Sequence, residues 1–188
     1  MVSDNPLSAG NQQERLCMTL PPSAIGHYLA GFADGEGSFN ISFRKRKDYK
    51  LPWKVSACFN ISQKEKPILE WCQKHLGCGT LRSRPDGIWY YEVNTLREIE
   101  QKVIPFFQAF PFLSQKKQRD FAIFCSIVTL LSQKNHLSKE GVKEILLLRR
   151  VMNDGGKRKY SEQEILKAYR ESSETIRQTS AAKAAVKI

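Results

Sequence analysis

The nine residues Leu29-Ala30-Gly31-Phe32-Ala33-Asp34-Gly35-Glu36-Gly37 place two carboxylates, Asp34 and Glu36, two positions apart at the end of an apolar run with helical spacing. A helix C-terminus already carries about half a negative charge, so acids there are badly placed unless something positive sits beside them. A divalent cation would supply that charge. Magnesium takes one or two carboxylates together with water and phosphate oxygens, so this helix end suits metal-assisted chemistry on a phosphate ester. The small residues around the acids, Ala30, Gly31, Ala33 and Gly35, would let a second helix approach closely, and a self-complementary helix pair is one way to build a dimer. The plainer alternative is a helix that simply ends in glycines.

Other groupings offer less. Cys72, His75 and Cys78 could ligate zinc, but no second ligand pair follows at zinc-site spacing. The stretch Asp154 to Lys157 lacks the spacing of a phosphate loop. Five irregularly placed cysteines, with no secretory signal ahead of them, point to a reducing compartment inside a cell.

The elements that must position the two acids can be read from periodicity. Ser23 follows two prolines, and Ile25, Leu29 and Phe32 recur at helical spacing, predicting a helix that stops between Asp34 and Gly37. Alternation at Phe39, Ile41 and Phe43, then at Val55, Ala57, Phe59 and Ile61, predicts two paired strands. Pro67 opens a helix that Gly77 closes. Residues 80–84 and 88–93 flank a Pro85-Asp86-Gly87 turn, and helical spacing resumes over 96–107. Further helices are expected over 121–131, 142–151 and 162–176. The order helix, hairpin, helix, hairpin, helix predicts an α+β fold: one four-stranded antiparallel, saddle-shaped sheet with helices on one face, completed by C-terminal helices. A length of 188 residues suits one domain, placed at 23–178, between a flexible extension over 1–22 and a disordered tail over 179–188. No apolar run is long enough to cross a bilayer.

If the apolar strand residues face the core, then Asn40, Ser42, Arg44, Arg46, Lys54, Ser56 and Asn60 face away. In the second hairpin Arg82 and Arg84 are expected on that outer face, with Trp89 and Tyr91 beside them. Arginine suits guanine and phosphate, and asparagine suits adenine. The chain carries 30 Lys and Arg against 19 Asp and Glu, for a net charge of +11. From Arg44 to Arg84 there are 11 basic residues against three acidic ones. A sheet apolar on one face is often merely solvated on the other, but this clustering points to double-stranded DNA.

With the acids, the helix and the hairpins in hand, the segment 29–37 resembles the motif of the LAGLIDADG homing endonucleases, matching at Leu29, Ala30, Gly31, Asp34 and Gly37, with glutamate as the second acid. The motif occurs once, and family members with a single motif act as homodimers through their motif helices. The resemblance, which spans residues 23 to 178, implies an interface at Ala30, Gly31 and Asp34. It also implies that Glu36 of each copy binds Mg2+ or another divalent metal at the two-fold axis, with Asp34 buttressing the helix end. Gln63 is implied to orient water, and Lys116, or its neighbour Lys117, to stabilise charge on the phosphate. The implied activity is a metal-dependent double-strand break in a long, nearly palindromic site, by an intron-encoded or free-standing mobile element of an organelle or a prokaryote. An RNA splicing maturase or a DNA-binding regulator on the same fold is the alternative.

Overall fold

A computed structural model describes residues 21–46, 53–155, 158–167 and 169. The expectations for the N-terminal extension, and for most of the residues after 167, lie outside the described residues.

Helix α1 (Pro22–Glu36) passes without a loop into strand β1 (Gly37–Lys45), which pairs antiparallel with β2 (Trp53–Gln63). Gly37 makes the abrupt turn possible, because a Cβ there would lie 2.5 Å from the carbonyl oxygen of Ala33. Helix α2 (Lys66–Leu76) ends at Gly77, whose left-handed φ of 66° returns its N–H to the carbonyl of Gln73. Strands β3 (Thr80–Ser83) and β4 (Trp89–Val93) form the second hairpin, and the sheet runs in the order β1-β2-β4-β3.

A helical stretch follows as α3 (Leu96–Glu98), a π-helical turn (Ile99–Val103) and α4 (Ile104–Ala109). The wide turn lies where Pro105, which lacks an N–H and crowds the preceding turn, would otherwise break regular α geometry. Helices α5 (Gln115–Ser132) and α6 (Lys139–Val151) are each started by a serine, Ser114 and Ser138, whose side chain accepts from a first-turn N–H. Residues 162–167 are again helical.

The core lies between the sheet and the helices. Phe39, Ile41, Phe43, Val55, Ala57, Phe59 and Ile61 are all buried, as their alternation predicts. Phe39 is its hub, with its ring centroid between 4.9 and 6.0 Å from those of Phe59, Phe107, Phe112, Phe121 and Phe124. The free edge of β1 is covered: Asn153 Nδ2 donates to Phe39 O at 2.8 Å and Arg149 Nε to Ile41 O at 2.8 Å. That cover blunts an edge which could otherwise pair with another strand.

Candidate active site and outer sheet face

Three elements meet at the end of α1. Asp34 there is half-buried and fully engaged: its carboxylate accepts from Leu113 N at 3.1 Å, Ser114 N at 2.9 Å and the Ser114 hydroxyl. Burial pushes the Asp34 carboxyl up, but the Ser114 hydroxyl, the two backbone N–H groups and the charge of Lys117 outweigh it and hold it below the usual carboxylate range. Ser114 is also the N-cap of α5, so Asp34 bolts the start of α5 onto the end of α1.

Glu36, two residues on, is exposed and takes no hydrogen bond or ion pair among the described residues. Its charge acts on that of Lys117, whose ammonium donates to the carbonyl of Gly37 at the turn between α1 and β1. Lys117 is half-buried, and that burial draws its pKa down against the opposing pull of Asp34. Lys116, which the family resemblance singles out, points elsewhere in this structure. Its Nζ lies 2.7 Å from Asp154 Oδ2, and Arg119 Nη2 lies 2.6 Å from Asp154 Oδ1. Gln63 reaches the same end of the sheet by register. Ile61 pairs with Gly37, so β2 carries Gln63 past the point where α1 becomes β1.

Among the described residues no three His, Cys, Asp or Glu side chains converge as a metal cage. Cys72 and Cys78 are buried, and the His75 ring packs on that of Trp71 at 4.4 Å with the planes tilted by 53°, so these three serve packing. What the described residues offer at the end of α1 is the open carboxylate of Glu36, outside any cluster of three ligating side chains. Such a hard oxygen donor fits magnesium or calcium completed by water and phosphate, and it fits zinc poorly.

The interface expectations divide by helical phase. Gly31 is exposed, and a methyl group there or at Gly35 would meet nothing within 4 Å among the described residues. Ala30 is a correction: it is 3% exposed and packs into the chain's own core with Leu29 and Ala33, leaving no surface for a partner. The Asp34 carboxylate is likewise spent within its own chain. Gly35 lies one turn beyond Gly31 on the same exposed side, as the four-residue spacing implies.

On the sheet, Ser42, Arg44 and Lys54 are exposed, and Asn40, Arg46, Ser56 and Asn60 are partly so. All but Arg46, which lies just past the end of β1, alternate with the core residues of their strands. In the second hairpin the outward set is Arg82, Tyr90 and Glu92. Trp89 and Tyr91 are corrections. Leu81 pairs with Tyr91, and Ile61 pairs with Tyr91 from the other side, so an inward Leu81 forces Tyr91 inward. Tyr91 is fully buried, its hydroxyl donating to Cys78 O at 3.0 Å, and Trp89 lies two residues away on the same core-side face.

Comparison with known proteins follows the same lines. The family model described as LAGLIDADG endonuclease matches residues 29–128, more than half of the chain. A Neurospora crassa protein named "Probable intron-encoded endonuclease 3" is 34% identical over 130 residues, 67% of this chain and 24% of that protein. "Homing endonuclease I-ApeII" of Aeropyrum pernix is 29% identical over 147 residues, covering 74% of this chain and 87% of the relative. The solved structure "Archaeal Intron-encoded Homing Endonuclease I-Vdi141I Complexed With DNA" superposes with a TM-score of 0.74 at 26% identity, over 81% of this chain and 99% of that one. The chain thus spans about a quarter of the fungal relative's length but nearly the whole of the archaeal ones. LAGLIDADG endonucleases in general depend on divalent metal. The motif helix, the four-stranded sheet behind it and the match across residues 29–128 make this chain a member of the LAGLIDADG endonuclease family.

Proposed function

We propose that this chain is a site-specific homing endonuclease which acts as a homodimer on double-stranded DNA, hydrolysing one phosphodiester on each strand of a long, nearly palindromic site with Mg2+ as its ion. The observation that carries the reading is the division of labour between the two acids. Asp34 is consumed by the fold, whereas Glu36 stands open at a negative helix end, beside a positive outer sheet face.

Glu36 from each copy would hold the divalent ion, which when bound supplies positive charge against the negative charge that develops on the phosphate. Lys117, anchored to Gly37 O, steadies the α1–β1 turn that carries Glu36. Lys116 is exposed and rests on a carboxylate that a DNA phosphate can displace, so it suits stabilising the phosphate charge. Gln63, with a donor and an acceptor at the end of β2, suits orienting the attacking water. The exposed strip at Gly31 and Gly35 suits close approach of the second copy's α1, setting the two Glu36 carboxylates about the two-fold axis. The outer sheet face, with Asn40, Ser42, Arg44, Lys54, Ser56, Asn60 and Arg82, would lie in the major groove. Intron-encoded relatives fit a chain made and used inside a prokaryotic cell or an organelle.

The test is to incubate the full chain with a randomised duplex library, with magnesium and separately with calcium or EDTA, and to sequence the cut and bound fractions. Cutting at one near-palindromic site with magnesium alone is expected. Selective binding with no cutting under any condition would overturn the endonuclease reading in favour of a maturase or regulator on the same fold.

A further inference from the structure

A carboxylate on a surface that receives a polyanion works against binding unless its charge is spent. Glu92 is such a carboxylate. It lies on the outer face, with Asn60 on β2 and Thr80 on β3 as its cross-strand partners. Its side chain is only 19% exposed, against 52% for that of Arg82, to which it is joined.

The contact is edge-on. Arg82 Nε donates to Glu92 Oε2 at 3.3 Å and Arg82 Nη2 to Glu92 Oε1 at 2.9 Å. A guanidinium has five N–H donors in a fixed plane. Glu92 takes those of the Nε–Nη2 edge, which leaves the terminal Nη1–Nη2 fork intact. Tyr90, the cross-strand partner of Arg82, backs the group, with its ring centroid 5.1 Å from the guanidinium carbon. The pair is nearly neutral, so it has little general attraction for phosphate. What it keeps is two parallel N–H vectors in a set direction, the geometry that matches the O6 and N7 acceptors of guanine in the major groove.

Arg84 is held differently. Its Nη1 donates to the Tyr90 hydroxyl at 2.7 Å, and its Nε is 3.7 Å from Asp86, beside the hairpin turn where Arg84 N bonds to Ile88 O. One arm of its fork is committed, and its place at the tip puts it at the rim.

We infer that Arg82, oriented by Glu92 and Tyr90, reads one guanine in each half-site, and that Arg84 contacts the backbone. The inference rests on the endonuclease reading and names the base chemistry its sheet selects. Glu92 is a positioning residue: it turns a cation that would bind any phosphate into one that hydrogen-bonds a particular base.

The experiment selects duplexes from a randomised library in calcium with the full chain and with its Arg82→Ala, Glu92→Gln and Arg84→Ala variants, each checked for an unchanged melting temperature. The wild-type consensus is expected to hold guanine at one symmetric pair of positions. Arg82→Ala should lose preference at that pair alone, by roughly tenfold or more. Glu92→Gln should blur the same pair while making binding more salt-dependent, since Arg82 becomes free to meet phosphate. Arg84→Ala should weaken all sequences alike and lower the salt slope by about one per contact. Replacing the selected guanine with 7-deazaguanine, which lacks the N7 acceptor, should weaken the wild type and not weaken Arg82→Ala further. A consensus unmoved by Arg82→Ala and Glu92→Gln, or full tolerance of 7-deazaguanine, overturns the guanine reader and leaves the endonuclease reading standing. A wild-type chain that retains no duplex overturns both.

Discussion

The contacts at the end of α1 and those on the second hairpin are built in opposite ways. Where β2 finishes, beside the turn from α1 to β1, the contacts join residues about 80 positions apart: Asp34 to Leu113 and Ser114, and Lys117 to Gly37. On the second hairpin the polar contacts are local, six to ten positions apart, and exposed: Arg82 to Glu92 and Arg84 to Tyr90. Long-range contacts fix one geometry at the cost of tolerance, because any change disturbs two elements at once. Local contacts on a hairpin can be exchanged without moving the rest. The proposed endonuclease would need constant chemistry in one place and a changeable reading surface in another, and the two kinds of contact suit those two needs.

The largest expected effect tests the catalytic end without touching its scaffold. Glu36→Gln should lower magnesium-dependent cleavage by at least about 10³-fold, on the several kcal/mol that a metal contributes to transition-state charge. Binding of the selected duplex in calcium should persist, and so should the melting temperature, because Glu36 takes no hydrogen bond or ion pair among the described residues. Loss of binding or folding alongside cleavage would place Glu36 in the scaffold and erase its difference from Asp34.

Asp34 should behave in the opposite way. Asp34→Ala leaves two backbone N–H groups and the Ser114 hydroxyl without their acceptor, a cost of about 1–3 kcal/mol. Its pKa lies below the usual value, so its stabilisation is complete above the ordinary carboxylate pKa and is lost as the pH falls through the depressed folded value. The melting-temperature gap between the wild type and Asp34→Asn should therefore narrow below about pH 4. A gap independent of pH would mean that the carboxylate's charge contributes nothing.

The first hairpin was legible in the sequence because seven apolar residues at strict alternation leave one choice of face. The second was not, because Trp89, Tyr90 and Tyr91 are all amphipathic and the turn length was open by one residue, and a slip of one reverses every side chain. Val93 and Leu81 held the missing signal: both must face the core, and Tyr91 shares a face with Val93 and pairs with Leu81. The same limit applies on helices. Ala30 and Gly31 are adjacent small residues about 100° apart, and only the packed structure turns one inward and the other out. Lys116 and Lys117 differ likewise, one reaching Asp154 and the other the turn beside Glu36. The acids themselves were legible because electrostatics at a helix end does not depend on register.

Gly31→Leu sharpens the contrast on the outer side of α1. A Cβ there meets nothing within 4 Å among the described residues, so the melting temperature of the isolated fold should not fall, while sedimentation should report monomers in place of dimers. A dimer that survives the leucine would put the interface elsewhere.

The smallest effect separates core from reading surface at neighbouring residues of one strand. Tyr91→Phe removes a buried hydroxyl that donates to Cys78 O, which should cost about 1 kcal/mol of stability, and it should leave the selected DNA sequence unchanged, because the ring faces the helices. Tyr90→Phe, one residue earlier and facing out, should do the reverse. It frees Arg84 from its hydroxyl partner, alters salt dependence more than melting, and leaves the ring behind Arg82 in place. If both changes acted on stability alone, the outer face of β4 would take no part in reading DNA. If Tyr91→Phe altered the selected sequence, the pairing of Leu81 with Tyr91 could not be the register of the chain in solution.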